Sequence, residues 1–547
     1  MIYLGEYIIL GPPGTGKTFR VAQSTAKIVK ENRTAFGTIH PNPVMICSLT
    51  RTAAAEAAGR VDIDRQMIGT LHAHAYRSLG HPKIVSPADY TEWNELNPQW
   101  LIAEGCTDLD DFSNDRSENS VFTSYQLARA LMSDDYDTEF HEAWESFKFE
   151  RELLDFTDLI ELAYLTIDHA PNDPQVIIAD EAQDMSRAEF ALLKKWGAAA
   201  EALILVGDPY QALYTWRGAD PDYLLNHEVP ENHRDVLSQS YRVPPAVHKV
   251  ATSWLQAEST NYKPVEYKAR VVGGDRANDS VGISDTNWRT PEGVLEEVET
   301  HLSRGQSVMV LASCGYMLKP TIRELREAGV PFSNPWRRKR GDWNPLRKGL
   351  SLRFVSFCNF LNALQNDKPM SIDDIHTWIQ VMKAKGLLLR GAKEQIKARA
   401  AIHDTPPVYE YELHNYFEYD EIEYLKNFHL ENNSIQCRAT WFNDRLLNKH
   451  QDSFEYPRHV AEINGIVALE KEPQLFIGTI HSFKGAEADV VIIYPDLSRA
   501  GYDEWNDHVS GHDSVVRLFY VALTRAKQSV IITAPVSRMY AELENYL

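Results

Sequence analysis

At 547 residues the chain exceeds what one hydrophobic core normally supports and calls for three or four compact units, while 44% hydrophobic and 24% charged residues exclude wholesale disorder. The five cysteines, Cys47, Cys106, Cys314, Cys358 and Cys437, lie far apart without paired spacing, which excludes a zinc site or disulfide framework and fits a reducing cytosol. A net charge of −21, with no stretch apolar for long enough to span a bilayer, excludes a membrane protein and confines any nucleic-acid contact to a locally basic or aromatic groove.

The opening MIYLGEYIIL has no basic leader and runs into a glycine-rich loop, so it reads as a buried strand rather than a signal peptide. The loop, Gly11, Pro12, Pro13, Gly14, Thr15, Gly16, Lys17 and Thr18, fits the phosphate-binding pattern G-x-x-x-x-G-K-T in the context that confirms it, directly after a strand. Its glycines let backbone N–H groups converge on phosphate oxygens; Lys17 reaches the β and γ phosphates, and the Thr18 hydroxyl ligates magnesium. PVMICSL follows as a second apolar strand. Between residues 81 and 150 the chain turns aromatic and acidic, which predicts a helical insertion. His72 and His74 lack a third ligand nearby and read as ordinary polar contacts, so no transition metal is expected.

QVIIADEAQD supplies an apolar strand ending in Asp180, a second magnesium ligand through water, and in Glu181, placed to orient or deprotonate an attacking water. ALILVGD is a further strand, with Gln211 just beyond it where an amide could sense a γ phosphate or simply line a surface loop. Arg242, in SQSYR, and Arg525, in YVALTRAK, are candidate cations for a phosphoryl-transfer transition state, an effect worth about 10³ to 10⁵ in rate. SVMVLAS, LFIGTI, DVVIIYP and SVIITAP form a second set of apolar runs, interrupted over 351–469 by a second insertion. In that insertion the acidic, tyrosine-rich YELHNYFEYDEIEYLKNF reads as a solvated amphipathic helix. Short apolar runs alternating with helical stretches mean parallel sheets wrapped by helices. The expected α/β organisation is a first core of 1–80 and 151–230 with its insertion at 81–150, and a second core of 231–350 and 470–547 with its insertion at 351–469.

The ordered set GPPGTGKT, SLTRTAAAEAAGR, GTLHAHAYR, IIADEAQD, VGDPYQALYTWRGAD, SQSYR, GTIHSFKGAEADVVII and LFYVALTRAK resembles superfamily 1 DNA helicases of the UvrD, Rep and PcrA type. The resemblance implies two RecA-like motor cores, ATP and Mg2+ as cofactors, and 3′→5′ movement on single-stranded DNA toward duplex junctions. It leaves a protein loading partner open and implies work in DNA repair or replication. By position, Tyr241 is similar to the adenine-stacking residue, Arg242 and Arg525 to the paired γ-phosphate arginines, and Glu487 to the ribose contact. Trp216, with Arg217 beside it in a polar loop that favours an exposed ring, resembles the aromatic on which a DNA base stacks. Thr70, His72, Thr479 and His481 fall where the family touches the strand.

Three features depart from the family's pattern. No glutamine precedes Gly11, so strict adenine selectivity does not carry over; Leu49 stands where an aromatic is expected; and Arg337 to Arg340 concentrate positive charge that reads as a strand or duplex contact. Two alternatives stay open from sequence. One is a 5′→3′ motor with the same hydrolysis residues, and the other a nucleotide-switched DNA-binding ATPase subunit of a repair or defence complex.

Overall fold

The computed structural model of the chain describes residues 5–31, 40–48, 63–102, 120–271, 279–335, 343–346, 349–432, 434–508 and 511–547. Leu49, Cys106, Arg337 to Arg340 and most of SLTRTAAAEAAGR lie outside them. The first sheet holds β1 (Gly5–Leu10), β2 (Val44–Ser48), β3 (Ile68–Thr70), β4 (Val176–Asp180), β5 (Ala202–Gly207) and β6 (Arg234–Val236). Their order across the sheet is β3-β2-β4-β5-β1-β6, and every pairing is parallel. A second sheet contains β7 (Ser280–Ser284), β8 (Val308–Ala312), β9 (Leu475–Thr479), β10 (Ala488–Ile493) and β11 (Ala526–Thr533) in the order β7-β11-β10-β8-β9. The fold is thus α/β with two parallel-strand, RecA-like sheets.

All eight apolar runs of the sequence become strands, because a strand covered on both faces needs apolar side chains at every position. Strand β4 shows the result: Ile177 and Ala179 join one core cluster, with Met45, Leu205 and Trp196, while Val176 and Ile178 join another on the opposite face with Val44 and Ile204. The strands that sequence reading missed are β3, β6 and β7. Each sits at a sheet edge and is short or only partly buried, so it carries no continuous apolar run.

Residues 81–150 supply, among the described residues, helices and an isolated bridge but no strand. Pro87–Leu96 starts with proline at its first turn and a Ser86–Asp89 capping box. The helix Thr138–Glu150 starts at Asp137, whose carboxylate accepts from Phe140 N–H at 2.9 Å. Their aromatic composition is a core in itself: Trp93, Tyr125, Phe140 and Trp144 are fully buried together. Residues 351–469 are likewise helical, and Phe357 stacks on Trp441 with ring centroids 4.7 Å apart. The tyrosine-rich helix Tyr419–Asn432 is amphipathic as expected, burying Ile422 and Leu425 and exposing Tyr419 and Tyr424.

Arg129 and Lys148 of the first insertion join Asp155 and Asp158 in a buried charge cluster that the sequence did not announce. Lys148 Nζ lies 3.0 Å from Asp155 Oδ2 and 2.6 Å from Asp158 Oδ2, and Arg129 Nη2 lies 2.7 Å from Asp158 Oδ1. Burial pushes the Asp155 carboxyl up, but Lys148 and Arg129 outweigh it and hold it below its ordinary value. Removing one cation leaves two adjacent buried carboxylates facing a single partner. Lys148→Met is therefore expected to destabilise the protein by about 3–5 kcal/mol, read as a lower urea midpoint by circular dichroism; an unchanged midpoint would refute the cluster's structural weight.

The chain divides into two compact units, one of Met1–Asp285, Leu311–Gly315 and Thr479–Leu547, the other of Thr286–Val310 and Tyr316–Gly478. Every side chain discussed in the next subsection belongs to the first. No helix among the described residues is long and apolar enough to cross a membrane.

Candidate nucleotide site and strand-contact residues

Because β1, β4 and β5 run parallel, the segments that leave Leu10, Asp180 and Gly207 emerge at one sheet edge, where open α/β sheets bind ligands. The first is the glycine loop. Gly14 and Gly16 have φ of 73° and 84°, a region that strains any side-chain-bearing residue. A Cβ on Gly11 would come within 2.5 Å of Lys17 Cγ, and one on Gly14 within 2.6 Å of Arg242 Cβ. Lys17 Nζ donates to Gly11 O at 2.8 Å, folding the side chain back over the loop. Gly16 precedes the helix Lys17–Lys30 without a side-chain cap or an acidic residue in the first turn, so the helix N-terminus keeps its positive end for an anion. The loop therefore fits a polyphosphate. Thr18 sits half-buried in that first turn, and Asp180, 3% exposed, accepts from the Glu181 N–H at 3.0 Å.

Glu181 holds a left-handed backbone, φ 53°, at the turn out of β4. Burial pushes its carboxyl up, yet Lys17, Lys484, Gln183 and Arg525 together bring it below the ordinary glutamate value, so it is ionised at neutral pH. Gln183 ties this acid to the next loop: Nε2 donates to Glu181 Oε2 at 2.5 Å, and Oε1 accepts from the Asp208 N–H at 3.0 Å. Gln211 is not a surface residue but 5% exposed; it donates to Asp208 Oδ2 at 2.8 Å and accepts from Arg525 Nη2 at 3.3 Å. Arg525 is 1% exposed, and burial, reinforced by Arg242, brings its pKa down to about 9, still cationic at neutral pH. Residues 314 positions apart thus meet in one hydrogen bond.

The SQSYR segment packs directly on the glycine loop. Ser240 Oγ and Tyr267 Oη each donate to Pro13 O, at 2.9 and 3.0 Å, and the Tyr241 N–H donates to Gly14 O at 2.8 Å. That last bond holds the Tyr241 backbone while its ring stays 74% exposed beside the loop. Arg242 donates from Nε to Glu487 Oε2 at 2.7 Å. Burial raises the Glu487 carboxyl, but Arg242, with Lys527 and Arg525, brings it below its ordinary value. The residues expected to meet ribose and γ phosphate are here each other's partners.

The strand-contact candidates fare less evenly. Trp216 is half-buried rather than exposed: its ring packs on Tyr214 and Ala219, and the Arg217 guanidinium lies 5.9 Å from both the Trp216 and Tyr214 rings. A large aromatic in a polar loop recovers area from its own neighbours. Thr70 is engaged as an N-cap, accepting from the Ala73 N–H at 3.1 Å. His72 is half-buried with Nδ1 3.5 Å from Glu189 Oε1, and burial lowers its pKa against the pull of Glu189. Thr479 is only 1% exposed, and its hydroxyl is buried without a hydrogen-bond partner, a cost of about 1–3 kcal/mol. His481 lies half-buried in the short helix Ile480–Phe483. His74, fully buried, bonds Ile46 O through Nε2 at 3.2 Å and the Arg77 guanidinium through Nδ1 at 2.8 Å, so both ring nitrogens are occupied within the fold.

Several participants escaped sequence reading. Lys484 pairs with Asp184, the last residue of IIADEAQD, and its Nζ lies 5.2 Å from the Tyr214 ring centroid, beside Trp216. Burial pushes Asp184 up to about 6, although Lys484 pulls it down. Lys484, Asp208 and Ser240 were legible within GTIHSFKGAE, VGDPYQ and SQSYR; Tyr267 carries no signal apart from its tertiary neighbours.

The UvrD/REP helicase N-terminal domain family matches residues 2–230, and the UvrD-like helicase C-terminal domain family matches residues 439–537. The chain belongs to the superfamily 1 helicases of the UvrD, Rep and PcrA type. Its enzyme class is that of the ATP-dependent DNA helicases. Among relatives, the ATP-dependent DNA helicase PcrA of Staphylococcus epidermidis is 23% identical across 98% of this chain and 82% of its own length. A probable DNA helicase II homolog of Mycoplasma pneumoniae is 22% identical across 96% and 82%, and PcrA of Staphylococcus aureus is 25% identical across 71% and 60%. The glycine loop and Gln211 fall within the first matched segment and Arg525 within the second.

Proposed function

We propose that the chain is a 3′→5′ translocase on single-stranded DNA that unwinds duplex at the expense of ATP. The observation that carries this reading is the burial of Arg525 against Gln211, within the electrostatic reach of Glu181 and Arg242. In this reading 1–80 and 151–230 form the ATP-binding core, 231–350 and 470–547 the second, and 81–150 and 351–469 are their insertions.

Gly11 to Lys17 would hold the nucleotide's phosphates, Thr18 and Asp180 the magnesium, and Tyr241 and Glu487 the nucleoside. When bound, the nucleotide supplies a phosphoanhydride and the metal neutralises part of its charge. Glu181, kept ionised by the surrounding cations, orients water and receives its proton. Arg525 and Arg242 stabilise the charge that grows on the transferred phosphoryl group. Arg242 leaves Glu487 to do so, which couples nucleotide arrival to a rearrangement of that ion pair. Gln211 and Gln183 hold Arg525, Asp208 and Glu181 in register. Toward the strand, Trp216 would stack on a base, flanked by Arg217, with Thr70, His72, Thr479 and His481 along the path. The proposed setting is the cytoplasm, with a protein loading partner at the DNA junction.

Duplexes carrying a 3′ or a 5′ single-stranded tail test the reading with the purified chain. ATP-dependent unwinding of the 3′-tailed substrate alone is expected; unwinding of only the 5′-tailed one reverses the polarity, and unwinding of neither overturns the motor. In the same assay Trp216→Ala is expected to weaken strand binding about 5- to 150-fold, from about 1–3 kcal/mol of base stacking, while DNA-free ATP turnover holds. Unwinding at the wild-type rate would remove Trp216 from the strand path.

A further inference from the structure

Away from the nucleotide site, the first unit carries a cavity of about 750 Å³ between the ends of helices Ser120–Ala130 and Thr138–Glu150 and the helix Phe156–Thr166. Large apolar side chains crowd its lining and stand in solvent: Phe149 is 86% exposed, Leu165 70% and Met132 56%. Tyr164 joins them at the same lining. Scattered exposed apolar residues are ordinary, but a group gathered at one concavity marks an interaction site. Met132 and Glu152 hold left-handed backbones, φ 57° and 54°, at the ends of two of these helices, where glycine would be relaxed. Both positions spend conformational energy to keep a side chain at the cavity.

The electrostatics select the occupant. The cations on the floor, Arg129 and Lys148, are already engaged by the buried Asp155 and Asp158. Glu145 and Glu161 share those same two cations, and Asp134 and Glu152 add two exposed carboxylates to the lining, with no further lysine or arginine among the lining residues. Two helices also end there, and their C-termini add partial negative charge. A nucleic-acid backbone would be repelled from such a rim. A cationic segment with a large apolar anchor would be attracted.

We propose that this cavity is a docking site for a lysine- or arginine-bearing amphipathic helix of another protein, whose apolar face meets Phe149, Leu165 and Met132 while its cations meet Asp134 and Glu152. The mode is a helix laid into a groove, with area from the apolar face and selectivity from the charged rim.

The test uses the full chain and three fluorescein-labelled synthetic 18-residue peptides read by anisotropy: a helix with a Leu/Trp face and a Lys face, the same composition scrambled to destroy the apolar face, and the amphipathic sequence with Glu for Lys. The amphipathic Lys peptide is expected to bind at least tenfold more tightly than either control. The double variants Phe149→Ser/Leu165→Ser and Asp134→Lys/Glu152→Lys, at surface positions outside the nucleotide site, are expected each to weaken it at least tenfold with melting temperature and DNA-stimulated ATP turnover unchanged. Equal binding of the scrambled cationic peptide, or wild-type binding by both variants, would overturn the site, the first by showing only attraction to an acidic protein. Self-association in sedimentation that Phe149→Ser/Leu165→Ser abolishes would overturn it in favour of a second copy of the chain.

Discussion

Replacing Arg525 by alanine is expected to lower kcat for DNA-stimulated ATP hydrolysis by about 10³- to 10⁵-fold, the range for a cation supplied to a phosphoryl-transfer transition state. The guanidinium donates to Val521 O, Ala486 O and Gln211 Oε1 and is 1% exposed, so its position is set by the fold before any ligand arrives. That is the preorganisation electrostatic catalysis requires, because no reorganisation is left for the moment of reaction. Burial brings its pKa down to about 9, with Arg242 adding to the shift, which still leaves it charged through the neutral range. Arg525→Lys keeps the charge but not the planar fork, and should recover part of the rate while losing the Gln211 contact. Phosphate release at saturating strand and nucleotide decides the matter, with thermal melts confirming that each variant is folded. A folded alanine variant within tenfold of wild type would remove Arg525 from the chemistry.

Glu181→Gln should lower turnover by about 10²- to 10⁴-fold, the usual worth of a positioned general base, while nucleotide affinity is kept. The substitution is nearly isosteric and keeps a partner for Gln183, so the left-handed turn after β4 should survive. The sign of the pH dependence follows from the charge around it. Burial favours the neutral acid, but Lys17, Lys484 and Arg525 favour the carboxylate more strongly, so Glu181 stays ionised above the ordinary glutamate value and loses its base function only below it. The wild-type acid limb of kcat is therefore expected on the low side of a free glutamate, and Lys484→Met should move that limb upward by removing one of the cations. Lys17→Ala, in contrast, should lose nucleotide binding itself. Wild-type turnover in Glu181→Gln would refute its role as the base.

How much of this was legible beforehand differs by kind of residue. The glycine loop, Asp180 and Glu181 were readable because their geometry is local: a few consecutive residues between a strand and a helix make the cradle and the acid, and no distant contact is needed. The eight strands with apolar runs, β9 at a sheet edge among them, were readable for a similar reason, since burial on both faces forces a nearly continuous apolar run. Edge strands such as β6, whose residues are all half-buried, leave no such trace. Gln211 and Arg525 had to be singled out from motif order, and their burial rests on a contact between segments 314 positions apart that neither segment's composition records. Trp216 misled in the opposite sense: its polar neighbours implied an open ring, whereas Tyr214 and Ala219 cover part of it.

What the amino-acid sequence by itself determined is the chemistry each segment can offer: a phosphate cradle, an acidic pair, two arginines, a tryptophan among polar residues, and enough apolar runs for two parallel sheets. Only the tertiary structure decided which of these meet. It set Arg525 on Gln211, paired Arg242 with Glu487, brought Lys484 to Asp184, buried the Thr479 hydroxyl, and left Phe149 and Leu165 standing at an acid-rimmed cavity. The physical reason is range: backbone conformation and apolar periodicity are written in neighbouring residues, while burial and ion pairing depend on which distant segments the chain packs together.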